Sequence, residues 1–207
     1  MERRKHFGKR GDLGMCKMIE KVNRLTPAST LEKYWDGKIP VNVKHILGNI
    51  GIRFCKFDTA PLEEALQLSK NDAILGMAFS NGDELGIIYS TRIDKDVTNY
   101  VLAHELAHCC LHMKPSEKFH IELKLSRDLY SKTKNRTVLS RYLESYKEVQ
   151  SDRFAADLLI PTKSLVSFLQ EHPTANIDGI ANHFHVSREM VRLKTENLRR
   201  NKVGDIK

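Results

Sequence analysis

Apolar positions along this chain follow two periods, and the switches between them mark its elements. Met15, Met18, Ile19, Val22 and Leu25 fall at helical spacing, so Gly14 to Leu25 is predicted as a short amphipathic helix stopped before Pro27. A second helix is expected from Pro40-Val41-Asn42-Val43 to Ile50, with Gly51 just past its end. Three strand-like runs follow, Ile52 to Phe57, Ile74 to Ser80 and Leu85 to Tyr89. The last two are joined by Asn81-Gly82-Asp83-Glu84, whose Asn-Gly pair is a hairpin signal. Asp94 then reads as the N-cap of a helix from about Lys95 to Met113, ended by Lys114-Pro115. Its interior from Val101 to Leu111 is apolar nearly all round, the mark of a buried helix. A polar stretch from Pro115 to Arg136 carries a weak helical signal over Ile121 to Tyr130. A second long helix is expected from about Val138 to Ile160, stopped by Pro161, and the remainder reads as helical. Strands clustered before helices predict an α+β fold. Three parts are expected: a basic tail and N-terminal helix over 1–35, a core over 36–161 and a helical subdomain over 162–207.

Composition narrows the class. The 207 residues are 41% hydrophobic and 29% charged, enough for a core and far from a disordered composition. No stretch approaches the 18 or so uncharged apolar residues of a membrane span, and the basic start lacks the apolar run of a secretory signal. A soluble cytoplasmic protein is expected. The net charge of +8 is concentrated at the ends, with five basic residues against one acidic in 1–10 and seven against three in 188–207. A solvated tail accounts for the first cluster. Cys16, Cys55, Cys109 and Cys110 show neither metal-type spacing nor a disulfide framework, so reduced, buried thiols are expected.

The candidate chemistry lies in His104-Glu105-Leu106-Ala107-His108. Residues four apart share a helix face, so two imidazoles can grip one ion. Glu105, offset by about 100°, reaches the open side of that ion and is placed to take a proton from water. Two histidines and a glutamate inside an apolar helix are costly to bury without a metal. A catalytic zinc needs a third protein ligand and an open position. His112 continues the series but lies about 12 Å beyond His104 along the axis, too far for all three rings to share an ion. His120 lies in the polar stretch past Pro115. The residue favoured is Glu148 in the next helix, with Asp152 four positions on placed to accept a hydrogen bond from the free ring nitrogen of a ligand histidine. Two imidazoles and a carboxylate suit zinc better than manganese.

His104-Glu-Leu-Ala-His108-Cys-Cys-Leu-His112, followed by Glu148-Val-Gln-Ser-Asp152-Arg-Phe-Ala-Ala-Asp-Leu-Leu-Ile-Pro161, resembles the ImmA/IrrE family of metallopeptidases. The Phe-Ala-Ala-x-Leu-Leu-x-Pro tail is the more diagnostic half, since many zincins share the histidine motif. The resemblance runs from about Ile39 to a closing Phe184-His185-Val186-Ser187-Arg188-Glu189, with His185 where the family usually has Gly and a longer spacer over 115–136. It implies a zincin-like core of small sheet, histidine-motif helix and Glu-bearing helix. It also implies zinc on His104, His108 and Glu148, Glu105 as general base, and a transcriptional repressor, often of helix-turn-helix type, as the protein cleaved.

Tyr142, Tyr146, His112 and His120 are candidates for stabilising the oxyanion of an attacked carbonyl. The strand Leu85 to Tyr89 is a candidate edge for pairing an extended substrate. Ile177 to Arg192 resembles a helix-turn-helix, with Ala181 at the crossing and Ser187 capping a helix that carries Arg188 and Arg192. Packing, or docking of the partner repressor, is favoured there over DNA reading. Two functions follow: a zinc endopeptidase acting on a regulatory protein, or a DNA- or repressor-binding regulator with a structural or inactive metal site.

Overall fold

The computed structural model describes residues 12–68, 73–80, 84–114, 120–125 and 138–204. Its elements are α1 (Asp12–Asn23), α2 (Pro27–Tyr34), α3 (Val43–Ile50), β1 (Arg53–Phe57), α4 (Ala60–Ala65), β2 (Ile74–Ser80), β3 (Leu85–Ser90), α5 (Lys95–Leu111), β4 (His120–Leu125), α6 (Val138–Leu159), α7 (Thr162–Glu171), α8 (Ile177–Phe184) and α9 (Arg188–Gly204). This is an α+β architecture around a four-stranded sheet.

The sheet runs in the order β1-β3-β2-β4. β3 is parallel to β1 and antiparallel to β2, and β4 pairs antiparallel to the outer side of β2. Leu85 to Tyr89 is therefore central, with both sides paired, and offers no edge to a substrate. The stretch read as weakly helical after Ile121 begins as a strand, because its alternating His120-Ile121-Glu122-Leu123-Lys124-Leu125 finds a partner ladder in β2. Residues 126–130, 81–83 and the basic tail lie outside the described residues.

α5 packs across β2, β3 and β4 on one side and against α6 on another, with α1 and α3 closing the rest. Its central residues from Val101 to Cys110 are all buried, as a helix apolar all round requires. Asp94 stands at the N-cap, but its backbone carbonyl, not its carboxylate, meets the first turn, receiving Val97 N, Thr98 N and Thr98 Oγ1. The helix stops at Leu111, two residues earlier than expected, with His112 as C-cap. Asn99 Nδ2 donates to Val41 O, and Asn23 Nδ2 donates to Met113 O, so polar clips hold both ends.

Cys109 and Cys110 are buried and reduced, whereas Cys55 on the edge strand β1 is exposed, against expectation. β1 ends the sheet order, and all of its residues but Phe54, Cys55 among them, are exposed. Gly51 ends α3 in the left-handed region at φ 96, where glycine is free of Cβ strain.

The C-terminal helices pack outward in sequence, α9 on α6 and α8 on α9. Asn176 caps α8 and Ser187 Oγ accepts from Met190 N at the start of α9. Between them His185 closes α8 at φ 52, a left-handed conformation unusual for a side chain with a Cβ. Lys194, only 3% exposed, donates to Asp157 Oδ1 at 2.8 Å and Thr162 Oγ1 at 2.9 Å. Asn197 Nδ2 bonds the same carboxylate and Arg153 O, so α9 is clamped to the Glu148-bearing helix.

Candidate metal centre

The site starts with one helical turn. His104 and His108, four apart on α5, point their Nε2 atoms at each other across 2.9 Å. α6 crosses α5 so that the Glu148 carboxylate straddles the pair, with Oε2 3.3 Å from His104 Nε2 and Oε1 3.1 Å from His108 Nε2. One ligand atom from each of the three lies within 4.8 Å of the others. Tetrahedral bonds of about 2.0–2.1 Å separate donor atoms by about 3.3 Å, so the three side chains fit one small cation with little adjustment.

Asp152, one turn beyond Glu148, orients the first imidazole. Its Oδ1 receives His104 Nδ1 at 2.8 Å, Tyr100 Oη at 2.7 Å and Lys124 Nζ at 3.3 Å. With Nδ1 donating, the lone pair of His104 Nε2 is directed at the common point. Lys124 reaches in from β4 and also bonds Glu148 Oε2 at 3.1 Å. Three carboxylates (Glu105, Glu148, Asp152) and one ammonium leave two negative charges for a divalent cation to cancel when Glu105 is ionised.

Titration reflects this crowding. Burial works against the ionised forms of Glu148 and Asp152. The bonds from His104, assisted by Lys124, outweigh it, holding Glu148 well below the carboxylate range and Asp152 at about 2. Burial also opposes a charged His104, but its carboxylate bonds raise it, while burial prevails at His108 and lowers it. The opposite directions fit two rings sharing one point. Burial opposes the charge on Lys124 as well, and Tyr100, Asp152 and Glu148 more than restore it.

Glu105 stands apart. It is fully buried, and neither carboxylate oxygen finds a hydrogen-bond partner among the described residues. Burial, more than any neighbour, pushes it up to about 8. It lies over β2 at Gly76, where a Cβ would stand 2.7 Å from Glu105 Oε1 and 2.5 Å from Val101 Cγ1. The missing side chain lets the carboxylate rest against the sheet. A buried orphan carboxylate beside three converging ligand atoms is what a metal-dependent proton acceptor requires.

A family model for the IrrE N-terminal-like domain, peptidase family M78, matches residues 70–196, more than half of the chain. The chain belongs to the IrrE N-terminal-like peptidase family. No curated protein and no solved structure matches it. Members of this family are zinc-dependent metallopeptidases, and the match spans β2 through most of α9, including every residue of the centre.

The other residues singled out from the sequence do not join the ligand group. His112 packs its ring on His108 at 5.3 Å between centroids and donates from Nε2 to Lys147 O at 3.3 Å; burial lowers it to about 4. His120 bonds Glu122, which Lys147 also holds. Tyr146 is 54% exposed and its Oη accepts from Gln150 Nε2. The side chain of Tyr142 lies outside the described residues. Lys124, Tyr100 and Gly76 escaped sequence reasoning. The signal for Lys124 was present in the alternation of 120–125, but polar positions on a strand are ordinarily read as facing solvent, and here they face α5 and α6.

Proposed function

We propose that this protein is a zinc-dependent endopeptidase that cleaves a partner transcriptional repressor, probed first on proteins with an N-terminal helix-turn-helix. The observation that carries the reading is the orphaned, buried Glu105 beside His104, His108 and Glu148, whose ligand atoms converge. A divalent cation held by these three would supply Lewis acidity toward a water and the scissile carbonyl. Glu105 takes the proton from the attacking water and returns it to the leaving amine; its ionised form, disfavoured by burial, is the one a divalent cation beside it would restore. Asp152 and Tyr100 keep His104 in the required tautomer. Lys124, reaching in from β4, bonds Glu148 and Asp152 and holds the two carboxylates in place. β4 stands last in the sheet order among the described residues, so an extended substrate segment can align along its outer side.

The rival reading, a DNA- or repressor-binding regulator with a structural or inactive metal site, has less support, since a structural site has no need of a buried carboxylate beside its first ligand. Arg188 pairs with Asp178, and Arg192 with Glu189 at 3.4 Å, so the two arginines that would meet phosphates are already matched by acids. Glu105→Gln tests the choice. It is expected to retain one zinc and an unchanged circular-dichroism spectrum while cleavage of a co-incubated repressor stops. Relief of repression by that variant would favour the regulator instead.

A further inference from the structure

A cavity of about 830 Å³ adjoins the centre. Its inner end is formed by Tyr100, Lys124 and Asp152, the group that braces His104, so the cavity lies one side chain away from the converging ligand atoms. Its flanks are apolar, with Leu75 from the sheet and Leu159 from α6. Its far wall is the α8–α9 turn, contributing Ala181, His185 and Met190.

Resting on the peptidase reading, we propose that this cavity is the subsite for a bulky apolar side chain of the substrate next to the scissile bond. The helix pair α8–α9 is then its specificity wall rather than a nucleic-acid reader. Four observations carry this. A chain laid across His104, His108 and Glu148 passes close to the cavity, because Asp152 and Lys124, which line it, bond His104 and Glu148. The one cation at the inner end is already bonded to Glu148 and Asp152, so an acidic side chain finds no free counter-charge while apolar walls remain to be covered. The far wall is preformed, because Lys194 and Asn197 fix α9 to α6 through Asp157. His185, held at φ 52 on the rim, is a strained position of the kind found at ligand clamps.

The test uses the zinc-loaded full chain with N-acetyl-X-amides (X = Gly, Ala, Leu, Phe, Lys, Glu) as probes, their binding followed by calorimetry or NMR, and a mixed peptide library for cleavage. The Leu and Phe probes are expected to bind about tenfold or more tighter than the Ala probe. Val97, 38% exposed on the rim, can be enlarged without disturbing the core, so Val97→Trp should fill the cavity. The Leu and Phe advantage should then shrink to about twofold, with zinc content unchanged. Ala181→Leu fills the same space from the far wall and should act alike. Equal affinities across the probes, a ranking led by Lys or Glu, or a ranking that both filled variants leave intact would overturn the proposal. The library separates this from the parent reading. Size-ranked binding with an uncut library removes proteolysis and keeps the apolar subsite; cleavage without size-ranked binding does the reverse.

Discussion

Gly76 shows how one missing methyl group sets the chemistry at the residue scale. Gly76→Ala would force Val101 and the Glu105 carboxylate away from the sheet. Overpacking of this kind costs about 1–3 kcal/mol. The expected result is a lower thermal midpoint and a fall in kcat with zinc stoichiometry kept, read by calorimetry, kinetics and metal analysis. Asp152 makes a different prediction. Its carboxyl lies at about 2 against an ordinary 3.8, so its contribution to stability is complete above 3.8 and disappears as pH falls from there to 2. Urea midpoints at pH 5 and 2.5 should reveal about 2 kcal/mol of acid loss that Asp152→Asn lacks, and the variant should bind zinc about 10–100-fold more weakly. The pairing of His104 with His108, and of Glu148 with Asp152, was legible because both members of each pair lie on one helix, where spacing alone fixes the shared face. Lys124 and Gly76 were not, since their neighbours come from strand pairing across distant segments.

Elements were legible where a single period ran long enough. α5 and α6 stood out on length and on prolines that follow them. α2 went unread because its cap is Thr26 with Ser29 at the third helical position, where a glutamate or glutamine would have advertised a start. α4 spans six residues, too few to show a period. β4 was misread because six residues of alternating character are compatible with either element until a partner strand is found. The α8–α9 turn carries its own test. His185→Gly removes left-handed strain of about 1–2 kcal/mol and adds part of that back through the unfolded chain. A net gain of about 0.5–1 kcal/mol is expected, seen as a small rise in thermal midpoint, with any change in substrate preference reporting on the lost imidazole.

The whole molecule is a stack in which the sheet supports α5, α5 supports α6, and α6 carries the C-terminal helices. Lys194→Met breaks the link between the last two, leaving Asp157 without its ammonium. Destabilisation of about 2–3 kcal/mol is expected, with amide exchange rising first in α8 and α9. Chelation should act at the other interface, between α5 and α6. A zinc ion held by His104, His108 and Glu148 would cross-link the two helices, so its removal should lower the thermal midpoint, and adding zinc back should restore it.

The ladder joining β4 to β2 carries a consequence for mutational tolerance. Gly76 lies opposite Lys124 and Ala78 opposite Glu122, so even-numbered positions of β4 look inward, and Leu75 is the extra residue where the register shifts. Loss of a single codon within this strand would swap odd for even, bringing a leucine where the ammonium now meets Glu148 and turning the charge outward. Single substitutions at outward Ile121 should be silent in a deep mutational scan, while in-frame one-residue deletions between His120 and Leu125 should behave like removal of Glu105 itself.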